Sequence, residues 1–141
     1  MTEEKDRLLC ERYPEIFKDR RRGARESPMS FGFDCSDGWF DIIDALCKNI
    51  QDHLTHHRAR RHMTAEEFDE SLQVRAVQVK EKFGGLRFYV SGGDEYTRGL
   101  IAMAESFSYR TCEDCGAPGT SRTGGWIRTL CDGCHATKAK R

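Results

Sequence analysis

Apolar residues recur along this chain with helical spacing in some segments and with strand spacing in others. A first helix is predicted to begin near Thr2, because Glu3 and Glu4 suit the first turn of a helix, and to end by Pro14. A second helix is predicted after residues 36–38, where apolar residues follow at intervals of three and four. Its apolar positions are Trp39, Ile42, Ile43, Leu46, Cys47, Ile50 and Leu54.

Two further helices are predicted on either side of the middle of the chain. Thr64 and Glu67 have the spacing of a capping box, which predicts a short third helix over about 65–72. A fourth helix is predicted to open near Asp94. Its buried stripe is predicted to consist of Leu100, Met103, Ala104 and Phe107.

The segment 74–91 has the alternation of a β-hairpin, with Gly84 and Gly85 at its centre to supply positive φ angles. One face of the hairpin is apolar, and we expect it to face the core; it comprises Val77, Val79, Phe83, Leu86, Phe88 and Val90. The other face is polar and basic, and comprises Gln78, Lys80, Lys82, Arg87 and Tyr89.

The C-terminal part of the chain has four cysteines in two C-x2-C pairs. The pairs are Cys112 with Cys115 and Cys131 with Cys134, and fifteen residues separate them, which is typical of a zinc site. Four thiolates close the coordination shell of Zn²⁺, so we expect a structural site without an open catalytic position.

The turns between the pairs and the short strand predicted over 126–130 indicate a zinc ribbon, with both cysteine pairs on short hairpins. We expect Gly116 to open the first turn. Three nearby arginines are candidates to offset the negative charge of the thiolates, namely Arg110, Arg122 and Arg128.

These elements predict an α+β fold, in which helices surround a small antiparallel β-hairpin or sheet and a four-cysteine zinc ribbon follows at the C-terminal end. We divide the chain into an N-terminal helix and basic loop (1–30), an α+β core (31–110) and the zinc ribbon (111–135). The last segment (136–141) is a basic tail.

Composition narrows the class of protein. The 141 residues include 23 basic and 23 acidic side chains, so the net charge is zero, although basic and acidic segments alternate locally. The longest apolar run, 100–104, is too short to cross a membrane. The first residues have no apolar signal region, so we expect a cytoplasmic chain whose seven cysteines stay reduced.

Basic residues give two candidate binding surfaces for nucleic acid or for another partner. The first is the outer face of the hairpin, with Lys80, Lys82, Arg87 and Tyr89, because cations beside an aromatic ring suit single-stranded nucleic acid. The second is the loop with Arg58, Arg60 and Arg61. Both sets are also compatible with an ordinary solvated surface.

Two other clusters leave alternatives open. The first cluster suggests a second metal site and consists of His53, His56, His57 and His62. A solvated helix end explains the same residues equally well. Asp37, Asp41 and Asp44 would share one face of the second helix. They suit either the metal site of a nuclease or the capping of a helix.

Three motifs occur in one order, and together they resemble a family of small zinc-ribbon proteins encoded by bacteriophages and bacterial prophages. The motifs are Asp37-Gly-Trp39, residues 79–89 (VKEKFGGLRFY) and the cysteine pairs with their flanking residues. The similarity covers most of residues 36–134. It implies a phage accessory protein, a class of protein that often binds a host protein or nucleic acid.

Three functions follow from these observations. The first is a non-enzymatic zinc-binding module that binds a host or phage macromolecule, most simply a protein, and inhibits a host process. The second is a nucleic-acid-binding protein that uses the basic hairpin face and the arginine-rich loop. The third is a metal-dependent nuclease. A zero net charge favours the first function over the second, and no motif predicts a small-molecule substrate.

Overall fold

A computed structural model describes residues 1–23, 25–61, 64, 67–68 and 72–139, without the side chains of residues 60, 61 and 139. The described elements form an α+β fold, as predicted. The helices are α1 (Glu3–Arg12), α2 (Phe40–Arg61), α3 (Glu95–Ser108) and α4 (Asp132–Ala139). The strands are β1 (Phe33–Asp34), β2 (Arg75–Lys82), β3 (Gly85–Ser91), β4 (Thr120–Arg122) and β5 (Arg128–Leu130).

Helix α2 provides the centre of the core. The apolar stripe predicted from its spacing is buried, apart from Ile42, which is half-buried. Burial of such large side chains contributes about 1.5–3 kcal/mol each, which explains why the stripe determines the position of the helix. Helix α1 and the chain after it add Leu9, Ile16 and Phe17 to the same core.

The sheet contains one strand that the sequence pattern did not predict. Its strand order is β1-β2-β3, and the two-residue strand β1 pairs in parallel with the middle of β2. Phe33 lies opposite Val79 and is buried, so β1 adds an aromatic residue to the core next to the hairpin.

The hairpin is confirmed, but its details differ from the predicted alternation. Val79 pairs with Phe88, and both are buried. A bulge between Ala76 and Gln78 shifts the alternation, so Ala76 takes a buried position and Val77 is only half-buried. A bulge inserts one extra residue, which a strict period of two does not reveal.

The turn of the hairpin lies one residue earlier than predicted. Lys82 pairs with Gly85, so the two-residue loop is Phe83-Gly84 and not Gly84-Gly85. Both loop residues have positive φ angles, 55° and 79°, which is the pattern of a type I′ turn. Phe83 is therefore 67% exposed, and its predicted place in the core is wrong.

The basic segment after α1 is more ordered than the predicted loop. It contains two short 3₁₀ turns, Lys18–Arg21 and Pro28–Phe31. Arg20 lies within this segment and donates to both carboxylate oxygens of Asp6 at 3.0–3.1 Å and to the carbonyl of Ser30 at 2.7 Å. This arginine therefore holds the segment against α1.

Helix α3 begins where predicted, because the Asp94 side chain accepts from the backbone N–H of Thr97 at 2.9 Å. Its predicted buried stripe is wrong at two of four positions. Ala104 is buried and Leu100 is half-buried, but Met103 and Phe107 are each 55% exposed. Helical spacing identified the apolar face, but it could not show that the core covers only one edge of that face.

The capping box predicted for the third helix is confirmed. The backbone N–H of Thr64 donates to the Glu67 carboxylate at 2.9 Å, and the N–H of Glu67 donates to the Thr64 hydroxyl at 3.2 Å. Most of the predicted helix over 65–72 lies outside the described residues.

Phe83 provides a test of the turn. A residue other than Gly or Asn costs about 1–2 kcal/mol in the left-handed region, and Asn-Gly is the preferred pair for this turn. We therefore expect Phe83→Asn to raise the free energy of unfolding by about 1 kcal/mol, measured by urea denaturation in the presence of zinc. Phe31→Asn is the control, because Phe31 is also largely exposed and lacks a positive φ angle. An equal response of the two variants would contradict the turn geometry.

Candidate metal centre

Four cysteine sulfurs converge at the C-terminal end of the chain. The ligand atoms of Cys112, Cys115, Cys131 and Cys134 all lie within 4.8 Å of one another. The sulfurs of Cys115 and Cys131 are 3.7 Å apart, far longer than the S–S bond of about 2.05 Å. Four sulfurs at the Zn–S distance of about 2.3 Å define a tetrahedron with edges of about 3.8 Å. The donor set therefore fits one tetrahedral metal ion such as zinc.

A tight turn presents the first cysteine pair. The backbone N–H of Gly116 donates to the carbonyl of Cys112 at 2.9 Å, and Gly116 has a φ of 79°, as its predicted role requires. The N–H of Cys112 donates to the carbonyl of Ala117 at 2.7 Å. A bridge between Thr111 and Pro118 closes the hairpin around this turn.

The second pair lies at a junction of strand and helix, and not on a second hairpin as predicted. Strand β5 ends at Leu130, Cys131 follows it, and Cys134 lies in the first turn of α4. The N–H of Cys134 points to the sulfur of Cys131, with a nitrogen-to-sulfur distance of 3.4 Å. The positive end of the α4 dipole favours negative charge on both sulfurs.

Cys112 differs in its ionisation from the cysteines outside the cluster. Burial of Cys112 disfavours its thiolate, but backbone N–H groups donate to its sulfur and lower its pKa to about 7. By contrast, burial raises the pKa of Cys10 and of Cys35 to about 12. Neighbouring sulfurs raise the pKa of Cys134. A cation is therefore needed to hold all four sulfurs as thiolates.

Two of the three arginines named as candidates to offset the thiolate charge bind carboxylates instead of the cysteines. Arg128 binds Glu113 at 2.7 Å and Asp114 at 2.9 Å, and Arg122 binds Asp132 at 2.5 Å. Both guanidinium groups thus neutralise carboxylates beside the ligands and make no described contact with a thiolate.

The metal module (residues 111–139) docks on the start of α2. The N–H of Gly38 donates to the carbonyl of Glu113 at 2.7 Å, and the indole N–H of Trp39 donates to the carbonyl of Thr111 at 2.9 Å. A Cβ atom on Gly38 would lie 2.2 Å from the carbonyl oxygen of Cys112. Only glycine permits this approach, which explains the Asp-Gly-Trp motif in physical terms.

The metal module also forms hydrogen bonds at the turn of the hairpin. The Thr129 hydroxyl donates to the carbonyl of Gly84 at 2.6 Å, and the Trp126 indole N–H donates to the carboxylate of Glu81 at 2.8 Å. Trp126 is nevertheless 78% exposed. The module thus fixes the position of the turn and leaves an aromatic ring beside it in solvent.

The basic face predicted on the hairpin does converge. Lys80 and Arg87 are cross-strand neighbours, and Gln78 lies opposite Tyr89. The Lys80 ammonium lies over the Tyr89 ring at 5.6 Å, and the Arg87 guanidinium lies over the Tyr109 ring at 5.7 Å. Lys82, which follows on the same strand, is exposed.

The arginines predicted to lie in a loop instead form the end of helix α2, and Arg58, whose side chain is described, does not join this face. Arg58 lies over the ring of Phe68 near the end of α2, and His53 contacts Asp94, which follows the open end of the hairpin. This end is opposite the turn, and strand β2 separates the two by about 23 Å. The side chains of Arg60 and Arg61 lie outside the described residues.

Neither alternative ligand cluster forms in the described part of the chain, where the four cysteines are the only group of three or more candidate ligands. The ring of His53 donates to the Asp94 carboxylate at 2.7 Å, and His62 is not described. Asp37 accepts from Thr2 at 2.7 Å, and Asp44 binds Arg12 at 2.9 Å. These two acids therefore hold α1 against the start of α2.

Sequence reasoning missed two residues of this region. Glu113 lies between the first two ligands and is 3% exposed. Its spacing carries no signal, because its partners Ser36 and Arg128 are determined only by the tertiary fold. Trp126 is predicted to begin a strand, whereas it precedes β5 and lies in solvent.

A ligand substitution tests the site. We expect the purified chain to hold one zinc ion, and Cys115→Ser to weaken zinc affinity by more than about tenfold, since even outer-shell changes cost that much. Cys115 is exposed, so the substitution removes a ligand and little packing. Cys10→Ser is the control and should retain the metal, as measured by elemental analysis and competition with a chromogenic chelator. A Cys115→Ser protein with one tightly bound zinc would contradict the assignment.

Comparison with known proteins adds no family to this geometry. No family model matches the chain, and no curated protein and no solved structure matches it. Within its described part, no helix combines the length and apolar character needed to cross a bilayer. The similarity to phage and prophage zinc-ribbon proteins therefore stays a prediction from the motifs.

Proposed function

We propose that this protein is a non-enzymatic, zinc-stabilised binding module that uses an aromatic groove to bind another protein. The observation that carries the proposal is the groove between the hairpin and the metal module. In the phage setting that the motifs imply, the partner is a host or phage protein, and binding inhibits a host process.

The groove has a volume of about 960 Å³. Its walls come from the chain around β1, from the end of β2 with the turn, and from the loop before β5. Trp126 and Phe83 both line it and are both largely exposed. Exposed aromatic rings beside a groove are the usual anchors of protein interfaces, where Trp is the residue most enriched.

Phe83 gives a second argument for binding. It has an unfavourable backbone conformation and buries little of its ring, so it stabilises the fold less than Asn would. Strained residues of this kind cluster at functional sites, where the surroundings hold them in place. A ring retained at the mouth of a groove is explained if a partner covers it.

The charges around the groove favour a protein over a polyanion. Three basic side chains line it, namely Lys80, Lys82 and Arg128, and three acidic ones, namely Asp34, Glu81 and Glu113. A phosphate backbone would gain little net attraction there. A mixed polar rim around apolar anchors is the ordinary composition of a protein interface.

Affinity capture with matched variants tests the proposal. We expect the zinc-loaded wild type to retain one stoichiometric partner from a lysate of the bacterial host, and Trp126→Ala to lose it, because an anchor of this kind contributes at least about 2 kcal/mol. Phe83→Asn should lose the partner as well, although it stabilises the fold. Quantitative mass spectrometry of the captured proteins gives the measurement.

Phe31→Ala is the matched control, because Phe31 is exposed to the same degree as Trp126 but does not line the groove. Capture of a partner that survives Trp126→Ala would contradict the groove as the binding site. Recovery of no stoichiometric partner by the wild type would contradict the proposal itself.

Nucleic-acid binding is the second candidate, and one observation favours it. Lys80, Lys82 and Arg87 share the outer face of the hairpin with Tyr89, and none has an ion pair with a described residue. The face presents cations without described ion pairs together with aromatic rings, which is what single-stranded nucleic acid requires.

A charge reversal tests the nucleic-acid candidate. If the hairpin face binds single strands, Lys80→Glu with Lys82→Glu should weaken binding by at least about tenfold at low salt and reduce its salt dependence. The control is Arg7→Glu with Lys48→Glu, an equal charge change on α1 and α2. Fluorescence anisotropy with labelled oligonucleotides gives the affinities. Absence of binding by the wild type at micromolar concentration would exclude this candidate.

A further inference from the structure

Helix α3 exposes a continuous apolar stripe that neither the groove nor the hairpin face uses. Tyr96, Leu100, Met103 and Phe107 follow at intervals of four, three and four residues, so they lie on one face along the whole helix. Leu100 is half-buried, whereas Tyr96, Met103 and Phe107 are each more than half exposed, at 54%, 55% and 55%. Large exposed apolar patches on a small protein mark interaction surfaces.

The stripe borders a second groove, which runs between α2 and α3 and has a volume of about 300 Å³. The two helices are antiparallel, because His53 contacts Asp94 at one end, while Asp41 and Phe107 share the groove at the other. The floor of the groove is formed by apolar side chains of both helices, including Ile42, Leu46, Leu100 and Ala104.

We propose that a second copy of this chain covers the α2–α3 face, so that the two helix pairs form a symmetric four-helix arrangement. In a symmetric dimer each copy presents the same patch. That patch therefore needs both side chains that protrude and a groove that receives the side chains of the other copy. The α2–α3 face meets this condition. Met103 and Phe107 protrude beside a groove of about 300 Å³, a volume that can hold such side chains from the partner copy.

The charges at the margin of the face also favour a second copy. Lys48 pairs with Asp52 at 2.7 Å along the α2 edge of the face, and Asp41 is the one charged residue that lines the groove, so the described charge at this face amounts to a single carboxylate. A strongly charged partner would gain little there. The net charge of zero removes the long-range repulsion that would otherwise keep two copies apart.

The size of the face indicates a reversible dimer. Helix α3 has 14 residues, so the face is about 21 Å long and, across two helices, about 20 Å wide. Its projected area is therefore roughly 400 Å², and protruding side chains add accessible area, which places the interface near the low end for specific complexes. We expect dissociation in the micromolar range.

Sedimentation velocity over a range of concentrations tests the dimer on the full, zinc-loaded chain. We expect the wild type to shift from the 16.2 kDa chain mass toward twice that mass as its concentration rises from micromolar to hundreds of micromolar. Phe107→Lys should stay monomeric over the range. Phe31→Lys, the same change at an exposed phenylalanine outside the face, should dimerise like the wild type.

Circular dichroism and zinc content establish that each variant is folded. If Phe107→Lys fails this check, Met103→Gln takes its place, and we expect it to weaken the dimer at least tenfold. A wild type that stays monomeric at every concentration would overturn the proposal and leave the face to a helix of another protein. A dimer that survives both substitutions, or that Phe31→Lys disrupts, would overturn it as well.

Discussion

One buried carboxylate connects the metal site to the rest of the protein. Glu113 stands between two of the cysteines, and its side chain accepts from the N–H of Ser36 at 3.1 Å and from Arg128 at 2.7 Å. Its backbone carbonyl accepts from Gly38, and its own N–H donates to the carbonyl of Thr129. A buried charge is tolerated only when it is paired and fully hydrogen-bonded, so these segments must stay together.

The position of the groove follows from this connection. Ser36 and Gly38 belong to the segment that leads into α2, and Thr129 belongs to the strand that holds the hairpin turn through Gly84. A metal ion that organises the cysteine turns therefore also organises one wall of the groove. In the same region the acidic and basic side chains neutralise one another locally. Arg122 and Arg128 are bound to acidic neighbours and are not free to bind a polyanion.

Local patterns predicted the parts of the molecule that depend on local interactions. The cysteine spacing identified the converging sulfurs, the spacing of α2 identified its buried stripe, and Thr64 with Glu67 identified a capping box that forms. These features depend on residues a few positions apart, or on ligand spacings that are typical of metal sites.

The features that were missed depend on the tertiary fold. The two glycines predicted a Gly84-Gly85 turn, and only strand register selects Phe83-Gly84. The partners of Glu113 lie 77 positions before it and 15 after it. Helix α3 has an apolar face of the correct period, yet α2 and the sheet cover only the edge that carries Ala104. The helix after Cys131 was missed because it opens with an Asp-Gly pair, which is typical of a turn.

Hydrogen exchange with and without a metal chelator tests most directly whether Glu113 connects the metal site to the segment before α2. The amides of Ser36 and Gly38 donate to Glu113, although both residues lie far in sequence from the four ligand cysteines. We predict that removal of the metal exposes these two amides to exchange, while amides in the middle of α2 stay protected by the core. Unchanged protection of Ser36 and Gly38 after complete metal removal would show that the groove does not depend on the metal, and would contradict the account.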